Sequence, residues 1–318
     1  MQFNFSNFKS YKDETSFDLG TMNLIDHKEN CIKSRAGDEY VKVAALYGAN
    51  ASGKSNLLHA FEFMKGFIGD SFSKANEREY IPIMNYKLSK KSREGKSKFE
   101  VFFEINEREY QYGFIIDDKI IHEEWLYKRN YTGKEKYDLI FEREKSKLLL
   151  SEKLKPLRKS IEFVHNKALV LTFLANTKFE ETRIVKKWFD DTSVIDYGNA
   201  TYELINKNRM PEIDFENEKE KVHFENYLNA ISVGSDKVKV EPINDGDADS
   251  KRKKYNFYSV RENDLDDETI DLPMSLESSG TLKMISLYSK LNKALRNGHT
   301  LFVDELDAKL HPLLTRYI

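Results

Sequence analysis

The chain has 318 residues, 40% of them apolar and 33% charged, with a net charge of −2. That balance describes one large or two modest globular domains with a buried core, and excludes a disordered chain or one announced as nucleic-acid binding by bulk charge. No apolar run reaches membrane-spanning length, the start at Met1-Gln2-Phe3-Asn4-Phe5 lacks signal-peptide character, and Cys31 is the only cysteine, so a cytosolic protein without disulfides or cysteine-cluster metals is expected.

Residues 1–47 read as short strands joined by turns. Phe3 and Phe5, then Phe17 and Leu19, alternate, and Gly37-Asp38 marks a turn. Val41 to Tyr47 has the composition of a buried strand. It runs into Gly48-Ala49-Asn50-Ala51-Ser52-Gly53-Lys54-Ser55, a complete G-x-x-x-x-G-K-S loop, followed by Asn56. Leu57, Phe61, Met64 and Ile68 then fall on one face of a helix. Without its flanks the loop would be a glycine-rich turn before Lys-Ser. Between a strand and a helix it becomes a phosphate cradle, in which backbone N–H groups and the helix N-terminus receive phosphate oxygens. Lys54 is placed to reach the β- and γ-phosphates and Ser55 to offer its hydroxyl to Mg²⁺, so ATP and Mg²⁺ are the expected ligands.

A basic stretch follows: Lys87, Lys90, Lys91, Arg93, Lys96 and Lys98, opposed only by Glu94. It is either a solvated loop or a phosphate-contacting one. Phe99, Val101, Phe103 and Ile105 alternate with Glu100 and Glu104. Turns at Asn106-Glu107-Arg108 and Asp117-Asp118-Lys119 lead into Tyr110 to Ile116 and Ile121 to Tyr127, an antiparallel meander that continues through Tyr137 to Phe141. From 151 to 232 helical spacing takes over, with Leu154, Leu157, Ile161 and Val164, then Val222, Tyr227 and Ile231. Residues 245–254 read as a polar linker or hairpin tip, and a strand follows from Tyr255 to Val260.

His299 to Glu305 is an apolar strand ending in two carboxylates. Asp304 is placed to hold Mg²⁺ and Glu305 to orient and activate the attacking water, since phosphoryl transfer asks the protein for positioning and charge stabilisation. Alone, an Asp-Glu pair at a strand end is equally an ordinary turn. Just upstream, Ser278, Ser279, Gly280 and Thr281 precede an apolar helix, Leu282 to Leu295. Either serine is a good N-cap, and the helix N-terminus is a second anion site or simply a capped end.

Together these motifs resemble the ABC-type ATPases, with Walker A at 48–55, a signature-like Ser278-Ser279-Gly280-Thr281, Walker B at 301–305 and a D-loop-like Leu306-Asp307-Ala308. Asn7-Phe8-Lys9-Ser10-Tyr11 is similar to the start of the SMC/RecF branch. Within it, Tyr47 to Asn56 and Asp304 to Pro312 most resemble the bacterial ATPases of phage-defence and abortive-infection systems and the ATPase domains of OLD-family nucleases. The long interval between Lys54 and Asp304, and Glu-Ser-Ser-Gly-Thr in place of Leu-Ser-Gly-Gly-Gln, separate the chain from transporter ATPases.

The resemblance implies an α/β fold: an ABC-type head with an antiparallel meander and a helical insertion. Its parts are a nucleotide-binding core at 1–150, the insertion and linker at 151–254, and the signature and Walker B part at 255–318. It implies a homodimer that sandwiches ATP, with Ser279, Gly280 and Thr281 facing the γ-phosphate on the partner's loop and Asp307 at the dimer contact. Such a dimer would be a nucleotide-gated switch in an anti-phage or DNA-maintenance complex, with a nuclease or toxin effector and no membrane. A non-hydrolysing scaffold and a RecF-like DNA-binding repair ATPase are the alternatives. Gln111, one of two glutamines, is the candidate Q-loop residue. A switch histidine in a Thr-His pair is missing before Ile318, so the expectation is a truncated or split form that binds nucleotide and turns over weakly alone.

Overall fold

The computed structural model describes all residues except 22–25, 35–36, 131–135, 146, 203–210, 212, 231–236, 244–253, 263–267, 313–314 and 316–318. The linker expected at 245–254 falls almost wholly outside the described residues. Two compact units emerge, Met1–Thr192 and Ser193–Ile318. The division falls after Thr192, inside the segment expected as a helical insertion. Among the described residues no helix is long and apolar enough to cross a membrane.

The first unit is a seven-stranded antiparallel sheet covered on one face by helices. The strands are β1 (Gln2–Ser6), β2 (Thr15–Asp18), β5 (Ser97–Ile105), β6 (Arg108–Ile116), β7 (Ile121–Asn130), β8 (Asp138–Glu144) and β9 (Lys147–Leu150), in the order β2-β1-β5-β6-β7-β8-β9. A small hairpin pairs β3 (Cys31–Lys33) with β4 (Glu39–Val41). The helices are α1 (Lys54–Asp70), α2 (Lys90–Arg93), α3 (Arg158–Glu162), α4 (Val170–Ala175) and α5 (Glu180–Asp191). The period-2 alternation acts as expected. Phe99, Val101 and Phe103 pair with Phe114, Tyr112 and Tyr110, and Phe3 and Phe5 pair with Val101 and Phe99, so these eight side chains share one buried face.

Helix α1 lies on that face. Leu57, Phe61, Met64 and Ile68 are all buried, as their spacing requires. Phe61 meets Phe3 edge-on at 5.2 Å between ring centroids, Phe63 packs at 5.2 Å from Phe99, and Phe67 at 5.6 Å from Phe114. From α5, Trp188 stacks on Phe103 at 3.9 Å. Fully burying a large apolar side chain contributes about 1.5–3 kcal/mol, so this aromatic layer is what fixes α1, and the loop before it, to the sheet.

The segment before the glycine loop departs from expectation. The strand read at Val41 to Tyr47 is present only at Val41, which pairs with Cys31. Residues 43–49 belong to no strand, and Val43, Leu46 and Tyr47 are exposed. Apolar composition makes a segment compatible with a strand, but a strand exists only where a neighbouring backbone completes the ladder.

The second unit contains a parallel pair, β10 (Ser193–Asp196) with β14 (Leu301–Asp304), and an antiparallel sheet of β11 (Lys237–Ile243), β12 (Lys254–Glu262) and β13 (Thr269–Pro273) in that order. Two longer helices are among its described residues, α6 (Glu218–Ala230) and α7 (Ser279–Asn297). Their apolar faces join: Phe224 and Leu228 of α6 pack with Leu282, Met284, Ile285 and Tyr288 of α7, together with Phe257 of β12 and Met274. Strand β10 interrupts the stretch read as helical. Four residues with no polar alternation carry no period to detect.

Candidate functional site

The glycine loop occupies Gly48 to Gly53 and feeds directly into α1. Gly53, the residue before the helix, has φ = 100°, a left-handed conformation that a side chain would strain, and Ala51 also has positive φ, at 63°. Alternating turns of this kind form a concavity of backbone amides. In the first turn of α1, Lys54 and Ser55 keep N–H groups that the helix cannot bond internally. The Lys54 ammonium folds back over the loop and donates to the carbonyls of Gly48 at 2.8 Å and Ala49 at 2.9 Å. Asn50 and Ser52 are exposed on the loop, and Ser55 and Asn56 are half-buried.

A second turn braces this loop. Asn7 and Lys9 both have positive φ, and the turn closes through mutual backbone hydrogen bonds between Phe8 and Tyr11. The Tyr11 hydroxyl donates to the Gly53 carbonyl at 3.2 Å, and burial pushes its phenol above the usual value, so it stays a donor. Asn56 donates to the Ser10 hydroxyl at 2.9 Å, and the Lys9 ammonium meets His59 Nδ1 at 2.7 Å. On the other side, Asn7 donates to the carbonyls of Ser92 and Lys96, tying the basic stretch to the same turn. Gln111 lies inside β6 and donates to Glu100 at 2.8 Å as part of the sheet's outer face.

In the second unit, β14 delivers Asp304 and Glu305. Asp304 stands in register with Asp196 of β10, so two carboxylates end a parallel strand pair, the edge of an α/β sheet where ligands collect. Asp304 Oδ1 accepts from the Glu305 amide at 3.0 Å, while Oδ2 is buried with no hydrogen-bond partner among the described residues. A buried carboxylate oxygen left over in this way fits a metal ion or its water. Among the described residues no three His, Cys, Asp or Glu cluster as a metal site. Within the second unit Asp304 is the residue whose chemistry fits Mg²⁺, a cation that takes one or two protein oxygens and keeps water in the rest of its shell.

Glu305 has φ = 48° and is exposed. Its carboxylate faces Gly198, where a Cβ would come within 3.2 Å of it. A cavity of about 240 Å³ adjoins it, lined by Tyr197, Gly198, Ala200, Lys283, Ala308 and Lys309. Ser278 is the serine that caps α7, accepting from the Thr281 amide at 3.1 Å, and Ser279 is exposed beside it. Gly280 presses on the next turn: a Cβ there would lie 2.7 Å from the Lys309 carbonyl oxygen. Asp307 is exposed in that turn.

The structure therefore gathers Gly48, Asn50, Ser52, Gly53, Lys54, Ser55 and Asn56 in one unit, and Ser278 to Thr281, Asp304, Glu305 and Asp307 in the other. Sequence reasoning missed Asp196, Tyr197, Gly198 and Lys283. A lysine on the apolar side of a helix was the one available signal.

No curated protein matches the chain significantly. Residues 43–318 match the family described as "AAA domain, putative AbiEii toxin, Type IV TA system". The chain belongs to this family of AAA-domain P-loop ATPases related to abortive-infection systems.

Proposed function

We propose that the chain binds Mg²⁺-ATP and hydrolyses it as an ABC-type, nucleotide-gated homodimer in an anti-phage or toxin–antitoxin system, acting on or with a nuclease or toxin effector. Two observations carry it, each within its own unit: a formed glycine loop leading into α1, and a strand-end Asp304 whose buried Oδ2 has no hydrogen-bond partner among the described residues. Lys54 and the loop amides bind the phosphates; Ser55 in the first unit and Asp304 in the second are each suited to ligate Mg²⁺, which when bound would neutralise phosphate charge. Glu305 orients the attacking water and accepts its proton. Ser279, Gly280 and Thr281, at a capped helix N-terminus, meet the γ-phosphate on another copy, with Asp307 alongside. ATP then favours the dimer because the closed state alone gains these contacts.

Turnover by the wild type, Lys54→Ala and Glu305→Gln tests the chemistry, and light scattering with a non-hydrolysable ATP analogue tests the switch. Loss of nucleotide binding in Lys54→Ala and retained binding without turnover in Glu305→Gln are expected. An unchanged mass with the analogue would defeat the dimer, and wild-type binding without turnover would leave the scaffold reading.

A nucleic-acid contact is supported by one observation. Lys87, Lys90, Lys91, Arg93 and Lys96 are exposed, and none has a carboxylate partner among the described residues. Salt-dependent DNA binding lost on neutralising these five would favour the RecF-like reading.

A further inference from the structure

Lys283 lies in the first turns of α7 and is only 7% exposed. Its ammonium donates to the carbonyl oxygens of Glu305 and Ala308, both at 2.7 Å, and sits 4.2 Å from the centroid of the Tyr197 ring. Tyr197 in turn donates to the Lys283 carbonyl at 3.3 Å and shares a hydrogen bond with Ser286 at 3.2 Å. A charge withdrawn from water needs oxygens and a ring face to replace its hydration, and here two backbone carbonyls and a tyrosine supply them. Packing alone would be served by a methionine. The carbonyls it holds belong to a turn whose path is unusual: Glu305 and Lys309 both have positive φ, at 48° and 64°. At the other end of the same contact, Gly280 touches the Lys309 carbonyl. The start of α7 and the turn bearing Glu305 are thus joined at carbonyls 305, 308 and 309.

We propose that Lys283 is a positioning residue that couples residues 278–281 to Glu305. Anything that displaces the start of α7, a phosphate at its N-terminus above all, moves the ammonium and with it the backbone that aims the Glu305 carboxylate. Occupation of the signature end would in this way set the geometry of the water-activating end of the same chain. The inference deepens the proposed function and rests on its assignment of Glu305.

Lys283→Met in the full chain keeps the stem and removes the charge. ATP affinity should stay within about threefold of wild type, while kcat falls about tenfold or more with KM little changed. Hydrogen exchange should quicken at the amides of 305–310. Lys283→Arg, which keeps a cation, should recover part of the loss. Wild-type kcat, or kcat and ATP affinity falling together, would overturn the coupling. Should Lys283→Met fail to fold, Lys283→Arg and Tyr197→Phe carry the same readouts, with smaller losses expected and wild-type behaviour of both counting against it. An inactive wild type would defeat the assignment of Glu305 instead. The clamp would then stand or fall on exchange at 305–310, and unchanged rates there in the variant would overturn it.

Discussion

Gly280 and Lys309 touch so closely that a methyl group on Gly280 would lie 2.7 Å from the Lys309 carbonyl oxygen. The signature-like turn and the turn after Asp304 are thus in close contact, with no room for a side chain between them.

Gly280→Ala should therefore destabilise the second unit, by about 1–3 kcal/mol from overpacking against backbone. Helix propensity alone would act the other way, favouring alanine by about 1 kcal/mol. Gly66→Ala in α1 is the matched control, because nothing lies within 4 Å of a Cβ there. Urea unfolding of the two variants should shift in opposite directions; a stabilised Gly280→Ala would show the contact to be absent.

Tyr11→Phe removes the hydroxyl that holds the Gly53 carbonyl while leaving the ring against Phe5, 4.8 Å away. A neutral hydrogen bond contributes about 0.5–1.5 kcal/mol, so ATP affinity should weaken by about two- to tenfold through a looser loop. Calorimetric titration with ATP reads this directly. Wild-type affinity would mean that the turn at Asn7 to Tyr11 does not brace the site.

Glu124 is fully buried under the sheet. It accepts from the amides of Val170 and Leu171 at 2.8 and 2.9 Å, from the Tyr112 hydroxyl at 3.1 Å and from Arg143 at 2.9 Å. Glu124→Ala strands the guanidinium and two amides and should cost about 3–5 kcal/mol. Glu124→Gln should cost less, since its amide oxygen still accepts from Val170 and Leu171. Adding Arg143→Met to the alanine variant should recover part of the loss. Equal stability of all three variants in guanidinium unfolding would contradict the pairing.

Acid should weaken the first unit through Asp70, Asp117 and Glu181. Burial raises each carboxyl, but hydrogen bonds and charge outweigh it: Lys74 and Arg78 around Asp70, His122 and the amides of Ile120 and Lys119 around Asp117, its own amide and Lys128 around Glu181. All three therefore ionise more readily folded than unfolded. Their contribution is present above the ordinary carboxylate range and is lost as pH falls through the lowered folded values, below about pH 4. Glu124 runs the other way, because burial lifts its carboxyl, so its term declines as pH rises through the folded value. The double variant Asp70→Asn/Asp117→Asn should show a flatter loss of unfolding free energy between pH 6 and 3 than wild type. Parallel curves would sink the assignment.

The sequence by itself determined the elements whose instructions are local. Residues 48–55 specify their loop because glycine at 53 permits the backbone that the turn needs. The faces of α1 and of β5 and β6 follow from periods of 3.6 and 2, and the Ser278 cap needs only its own helix. Tertiary structure alone decided what depends on a distant partner. Val43 to Tyr47 has strand composition but pairs with no strand among the described residues, whereas the still shorter Ser193–Asp196 becomes one because Leu301–Asp304 lies beside it. Lys283 has no legible role in the sequence, and it gains one only where the chain returns to place the carbonyls of Glu305 and Ala308 against it. The physical reason is the same in both cases: a hydrogen-bonding group or a buried charge is defined by the group that satisfies it, and here that group lies many residues away.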